Sequence, residues 1–423
     1  MTVISPGRDT PPAAVIPFFA GGAAAFFVLC LLLLISPASL TTHHFNPHLL
    51  SIVHTAALGW GTMIIFGAAH QLLPVIFEKN LFSPAAATFC FYTVTAGTAL
   101  LVFSFWDFRT GRLMIGGGAL VILSVLMYAV NVMATASVHK RRTPEGFFIV
   151  VSALWLLLTV FIGLLLAVNF TYPFFSKNHL EILALHAHAG LAGWFLQLIT
   201  GVSVRLVPMF LVARSSRGSW LWYAFALQNT GLLLFMADGY FFGPVRWRMI
   251  LYGLIVAAGI AAWLGYLYDA YQKRMKKRID VQMKHTFFSF GALIAAVLLL
   301  PVVLFAEGYR WAVLYGTLLF MGWITGIILG KTFKTLPFIV WNMHYKNLTG
   351  KVAVPLPRDL YSETVVLWQY RIFITASGLL AAGILLNSLP LIRVASAVWL
   401  LLSLLYLFNV LKVLFHRTKA GGS

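Results

Sequence analysis

The sequence predicts an all-α, polytopic membrane protein of about twelve transmembrane helices in three pseudo-symmetric four-helix repeats, and three observations carry that prediction. Of its 423 residues 61% are hydrophobic and only 10% charged, with the apolar residues in long runs separated by short polar stretches. Such a composition belongs to an integral membrane protein. Runs of the roughly 20 residues that a helix needs to cross a bilayer then recur twelve times. Finally, the phrase His54-Thr-Ala-Ala-Leu-Gly59-Trp60, followed by Gly67 and Pro74, returns at the same offsets as His188-Ala-Gly-Leu-Ala-Gly193-Trp194 with Gly201 and Pro208. A third copy keeps the framework as Gly322-Trp323, Gly330 and Pro337 but has Thr317 in place of the histidine. A repeat that preserves its frame and varies one polar position points to that position as functional.

The spans fall at roughly 14–40, 48–74, 84–105 and 113–138 in repeat one (about 14–138) and at 147–171, 179–208, 219–242 and 248–270 in repeat two (about 147–270). Those of repeat three (about 286–414) fall at 286–306, 310–331, 365–388 and 391–414, so that 1–423 reads as a single transmembrane domain. The first span follows a short segment with Arg8 and several prolines; at about 25 residues it exceeds the core of a secretory signal and reads as a retained helix. The phrases lie on the second, sixth and tenth spans, an even spacing. Pro74, Pro208 and Pro337 are expected to end those helices near the inner surface, where a helix can finish without stranding backbone groups in lipid. Cys30 and Cys90 sit inside apolar runs and there is no Cys-x-x-Cys-His, so neither a disulfide scaffold nor covalently attached haem is indicated.

The net charge of +19 is distributed as a topology signal rather than a nucleic-acid surface. Loops after the even spans hold Lys79, Lys140, Arg141, Arg142, Arg214, Arg217, the run from Lys273 to Lys284, Lys331, Lys334, Lys346, Lys351 and Arg358. Those after the odd spans hold only Arg109, Arg112, Lys177, Arg246, Arg248 and Arg310, with Arg393 at the last helix entry. The expectation is a multi-pass protein of a bacterial cytoplasmic membrane with both termini cytoplasmic, contacting lipid and no nucleic acid. The basic surface also suits anionic lipid.

Seven of the twelve histidines gather on the outer side of two spans: His43, His44, His48, His54, His179, His186 and His188. A histidine inside a span is costly unless it is paired, solvated or ligating, and neutral imidazole is a common ligand of haem iron and copper. A hydrogen bond to a neighbouring helix is the structural alternative for each one. At about 100° per residue His186 and His188 face opposite ways, so one ligand cannot be gripped by both. A haem held between helices takes one ligand from His54 and the other from His186 or His188. Gly59, Trp60, Gly193 and Trp194 are the candidate cofactor-side residues, with close helix packing and core filling as their other reading. His43, His44, His48 and His179 form a candidate outer metal-entry cluster. His70, His139, His285, His344 and His416 read as interfacial residues. Glu181, Asp238, Glu307 and Glu363 form no continuous carboxylate relay.

The form His186-Ala-His188-Ala-Gly190-Leu-Ala-Gly193-Trp194, ending in Leu206-Val207-Pro208, resembles a phrase of the haem-copper oxidase subunit I superfamily, in particular the cytochrome c oxidases and nitric oxide reductases with b-type haems. The pattern is also similar to NnrS-type proteins, although their Trp-His-Ala-His-Glu phrase is absent. In the family the phrase lies on helix ten, its first histidine ligating the active-site haem and its second the low-spin haem, whose other ligand is a helix-two histidine matched here by His54. This chain departs from that pattern. Tyr315 and Thr317 stand at the helix-ten ligand positions, and 219–242 has no histidine for the copper site. The resemblance implies haem b, with copper as a further cofactor, and redox or diatomic-gas chemistry or sensing (nitric oxide or oxygen) without the standard dinuclear centre. It also implies an oxidoreductase-like role in electron transport, with quinol or a donor protein, respiratory-complex subunits or a second copy as partners; no catalytic residue is assigned. Haem or copper trafficking, and a cofactor-free scaffold for a respiratory complex, are the alternatives.

Overall fold

The computed structural model describes residues 10–137 and 143–418, and every described regular element is helical. Arg8, His139 and the basic run Lys140, Arg141 and Arg142 lie outside the described residues. Twelve long helices result: α1 (Ile16–Ile35), α2 (Pro47–Phe77), α3 (Pro84–Trp106), α4 (Arg112–Ser137), α5 (Pro144–Asn169), α6 (His179–Leu211), α7 (Trp220–Phe241), α8 (Arg246–Gln272), α9 (Val281–Phe305), α10 (Arg310–Tyr345), α11 (Glu363–Leu385) and α12 (Leu389–Leu414). Eleven are long and apolar enough to cross a membrane. The exception is α7, whose Trp220, Trp222, Tyr223, Gln228, Asn229 and Asp238 dilute its apolar content.

The starts of these helices are written locally. Asn46, Ser83, Thr143, Asn178, Asp280 and Ser362 each accept a backbone N–H of the first turn with the side chain, which satisfies a donor that the helix itself leaves open. Pro47, Pro84 and Pro144 follow three of these caps, where the missing N–H costs nothing. The ends differ from expectation. Pro74, Pro208 and Pro337 do not finish their helices but lie inside them, and α2, α6 and α10 run on to Phe77, Leu211 and Tyr345. Termination in α2 and α6 comes instead from left-handed residues, Glu78 (φ 54) and Val212 (φ 50), each four residues past the proline. Lys331 and Lys334, expected in a loop, are therefore helical residues of α10.

Helices α2, α6 and α10 form the centre of the bundle. Their membrane windows are 78%, 72% and 61% buried, against at most 44% for any other span. The hairpins α3/α4, α7/α8 and α11/α12 pack around them, and α1 lies along α12. Each central helix carries a π turn at the same place in its phrase: Thr55–Thr62, Ala189–Leu196 and Leu318–Ile324. Such turns inside α-helices are rare and concentrate at functional sites. Within them the indoles of the phrase tie the repeats together. Trp60 donates from Nε1 to Thr325 Oγ1 at 3.0 Å, and Trp194 donates to Thr62 Oγ1 at 3.2 Å.

Both acceptors stand two residues after a phrase tryptophan, and at the third such position the chain has Leu196. The buried Nε1 of Trp323 has no partner among the described residues, and Trp323 and Leu196 line the same cavity. The gap yields an expected result. Leu196→Thr should be more stable than Leu196→Val by about 1 kcal/mol, one neutral hydrogen bond, although a hydroxyl in an apolar site ordinarily costs stability. Thermal unfolding of the two variants in detergent measures the order, and Val above Thr would remove the acceptor role.

His70 and His285 are also corrected by the fold. Both are fully buried rather than interfacial. Because α2 continues past Pro74, His70 stays inside the bundle against Phe18, Phe66 and Tyr128. His285 is enclosed by Tyr370 and Phe373.

Candidate metal and cofactor sites

The expected site residues meet in two grooves between the central helices, at the end of the bundle where α2, α6 and α10 begin. His54 is the last α-helical residue before the first π turn, and His188 the last before the second. His54 Nδ1 lies 2.8 Å from the Leu50 carbonyl and His188 Nδ1 lies 2.9 Å from the Ala184 carbonyl, each one turn back in its own helix. His186 Nδ1 instead reaches across to the Thr159 carbonyl of α5 at 2.9 Å. A carbonyl only accepts, so in all three neutral rings Nδ1 carries the proton and Nε2 keeps its lone pair. This is the state in which an imidazole ligates a metal through Nε2, its other nitrogen fixed by a backbone oxygen.

In the groove between α2 and α6 the His54 and His186 rings have centroids 6.4 Å apart and planes 17° from parallel. Two imidazoles bonded to one metal at about 2 Å each place their ring centres roughly 6 Å apart. His186, and not His188, is therefore the partner that the fold offers to His54. The two rings line a cavity of about 180 Å³ walled by α2 to α6, with Gly118, Gly163 and Gly190 among its lining. A Cβ on Gly163 would come within 2.8 Å of His186 Cε1, so glycine is what lets that ring lie against α5. Phe105 stacks on His54 at 4.5 Å.

The next groove, between α6 and α10, repeats the arrangement with different chemistry. His188 faces Tyr315, with ring centroids 6.1 Å apart and planes 27° from parallel. Tyr315 occupies on α10 the offset that His186 has on α6, two residues before the phrase position. This pair lines a much larger cavity, about 690 Å³, together with Phe235, Thr317, Trp323, His44 and Glu181. Its volume lies in the range of sites that enclose a whole cofactor, whereas the His54 cavity is smaller than that range. The imidazole donors fit iron or copper in both grooves; a full macrocycle beside His54 needs lining leucines such as Leu58, Leu183 and Leu191 to turn aside.

Other expected residues lie elsewhere. Gly59, Trp60 and Gly193 line neither cavity. They are packing residues: a Cβ on Gly59 would meet Ala25 at 3.1 Å, one on Gly193 would meet the Trp155 ring at 2.6 Å, and Trp60 stacks on Phe26 at 4.4 Å. Trp194 does reach the smaller cavity. The outer entry cluster is not assembled, because its members are engaged separately. His48 Nδ1 lies 2.8 Å from Ser36 Oγ, with its ring stacked on Trp106, while His179, which also lines the smaller cavity, sits against Phe170 and takes a 3.4 Å contact from the Asn169 amide. His43 and His44 stack at 4.2 Å, and burial together with His43 holds the His44 imidazole below its ordinary pKa. Among the described residues no three of His, Cys, Asp and Glu are grouped to hold a metal ion by themselves. The role of Tyr315 as the His188 partner was not assigned from sequence; its offset from Thr317 was the available signal.

No family model and no curated protein sequence matches the chain. Its fold is similar to that of a heme-copper terminal oxidase dimer solved by cryo-electron microscopy, with a TM-score of 0.64 over 96% of this chain and 85% of that one at 10% sequence identity. At that identity the likeness is one of fold.

Proposed function

We propose that this chain is a haem-binding membrane protein of redox or diatomic-gas chemistry, in which His54 and His186 would together hold one iron. The observation that supports it is the facing pair of imidazoles, 6.4 Å apart at their centroids, each with Nδ1 fixed by a carbonyl. The bound iron would supply one-electron chemistry at a potential set by its ligands and burial. The chain's own contribution is to hold those ligands. The Leu50 and Thr159 carbonyls fix the tautomers and raise ligand basicity, and the apolar lining limits water. In the larger groove His188, faced by the Tyr315 phenol rather than a second imidazole, would hold a second iron through one imidazole alone, the chemistry that suits an exchangeable ligand. Electrons would come from quinol or a donor protein at the membrane.

A second reading is favoured by the 180 Å³ volume of the smaller cavity. It is a single copper ion between the same two imidazoles, without a macrocycle. A pyridine haemochrome assay and copper analysis on detergent-purified protein separate the two. Stoichiometric haem b is expected; copper without haem selects the second reading, and protein from haem- and copper-replete cells that carries neither would end both.

A further inference from the structure

At the end of the bundle away from His54, His186 and His188, two lysines converge on one carboxylate, with a third beside them. Asp280, the N-cap of α9, lies 2.6 Å from Lys334 Nζ and 2.9 Å from Lys276 Nζ. Burial alone would raise its carboxyl, but those hydrogen bonds outweigh burial and hold its pKa at about 2. The carboxylate is thus ionised and already shared. Lys331, one turn before Lys334 on α10, has no such partner. Its Nζ lies 3.2 Å from the Met283 sulfur and 4.9 Å from the Phe210 ring centre, and Lys334 stands over the same ring at 5.3 Å. No carboxylate or carbonyl oxygen among the described residues is within hydrogen-bond distance of Lys331 Nζ.

The helical frame does not demand a lysine there. The equivalent positions, one residue after the phrase glycine, are Ala68 in repeat one and Val202 in repeat two. The neighbouring basic loop is also fixed in place, since Met275 and Lys276 donate backbone N–H groups to Val212 and Leu211 at the end of α6. Depth identifies the missing partner. Lys331 lies 21 residues after Arg310, which starts α10. At about 1.5 Å per residue that is roughly 31 Å of helix, close to the thickness of about 30 Å for the hydrocarbon core. An amino group at that level faces the phosphate layer, and basic pockets between membrane helices at this depth take anionic lipid head groups.

We propose that Lys331, with Lys334 and Lys276 around the Phe210 ring, is a binding site for the phosphodiester of an anionic phospholipid. Competing uses of the lysines as a topology signal require charge near the span end but not a specific lipid.

The test titrates purified full-length protein with phosphatidylglycerol, phosphatidylcholine or inorganic phosphate and counts bound lipid by native mass spectrometry. Phosphatidylglycerol should bind in preference to phosphatidylcholine. Lys331→Met should weaken it about fivefold or more, Lys331→Arg should retain it, and Lys334→Met, which leaves Asp280 its Lys276 partner, provides a second loss variant. Millimolar inorganic phosphate should not displace the lipid. Equal phosphatidylglycerol binding by wild type and both Met variants overturns the proposal. So does equal binding of the two lipids by wild type, and displacement by free phosphate would make this a phosphate site instead.

Discussion

Purified His54→Ala protein should lose the haem of the smaller groove, read as a fall in haem bound per protein, while still accumulating in the membrane, and His186→Ala should do the same. On the proposed assignment each substitution would remove one of two iron bonds, and a methyl group would replace neither. Loss of even an outer-shell partner of a metal ligand commonly costs about 10- to 100-fold in affinity, so loss of the ligand itself should exceed that range. The fold is expected to survive because neither ring is tied to another side chain: each Nδ1 binds only a backbone carbonyl. His70→Ala and His48→Ala are the controls, since both residues lie away from the pair. Gly163→Ala is the informative intermediate. Its Cβ would press on His186 Cε1 from 2.8 Å, shifting the spectrum through ring orientation while both ligands remain. Equal haem content in wild type, His54→Ala and His186→Ala would remove the assignment.

Carbon monoxide or nitric oxide should change the reduced spectrum, and the change should depend on His188 rather than His186. The two residues are two apart in sequence yet line different cavities. An iron held by both His54 and His186 would have no ligand to exchange for the gas, whereas one held by His188 alone, facing the Tyr315 phenol, would. His188→Ala should abolish the gas response and Tyr315→Phe should alter it. His186→Ala should leave it in place. A spectrum indifferent to both gases, with haem or copper passed on to an acceptor protein, would favour trafficking over redox or gas chemistry.

The outline of this molecule was legible in its sequence because lipid imposes few choices on a backbone. Apolar runs marked the helices, and the repeated Gly-Trp phrase marked α2, α6 and α10 as related. The divergence of His186 and His188 followed from helical geometry and is seen in the structure as two cavities. What sequence left open depended on neighbours. Whether His54 meets His186 or His188 is decided by how α2 and α6 lie against α5. Gly59 and Gly193 admit α1 and α5 rather than a cofactor, and nothing local distinguishes those uses. The prolines misled because a ring inside the last turns forfeits little when the chain has a left-handed stop nearby, as at Glu78 and Val212. His70 and His285 were placed by hydropathy at an edge that the longer helices then enclosed.

The three π turns have a mechanical meaning beyond marking the site. Each carries its tryptophan and inserts one residue between the ligand-bearing half of a helix and the half that follows, and one residue is about 100° of rotation. They act as phase shifters, letting the two halves of one rod present independent faces. One half can be tuned to the grooves while the other meshes with its counterparts at the axis. Removing a single residue from Thr55–Thr62 would restore an unbroken helix and swing His54 out of register with His186, leaving Trp60 geared to Thr325. By the same logic, change in the ligands of this fold needs no redesign of its centre, and the equivalent positions His54, His188 and Thr317 can differ in chemistry on three helices whose inner halves still mesh.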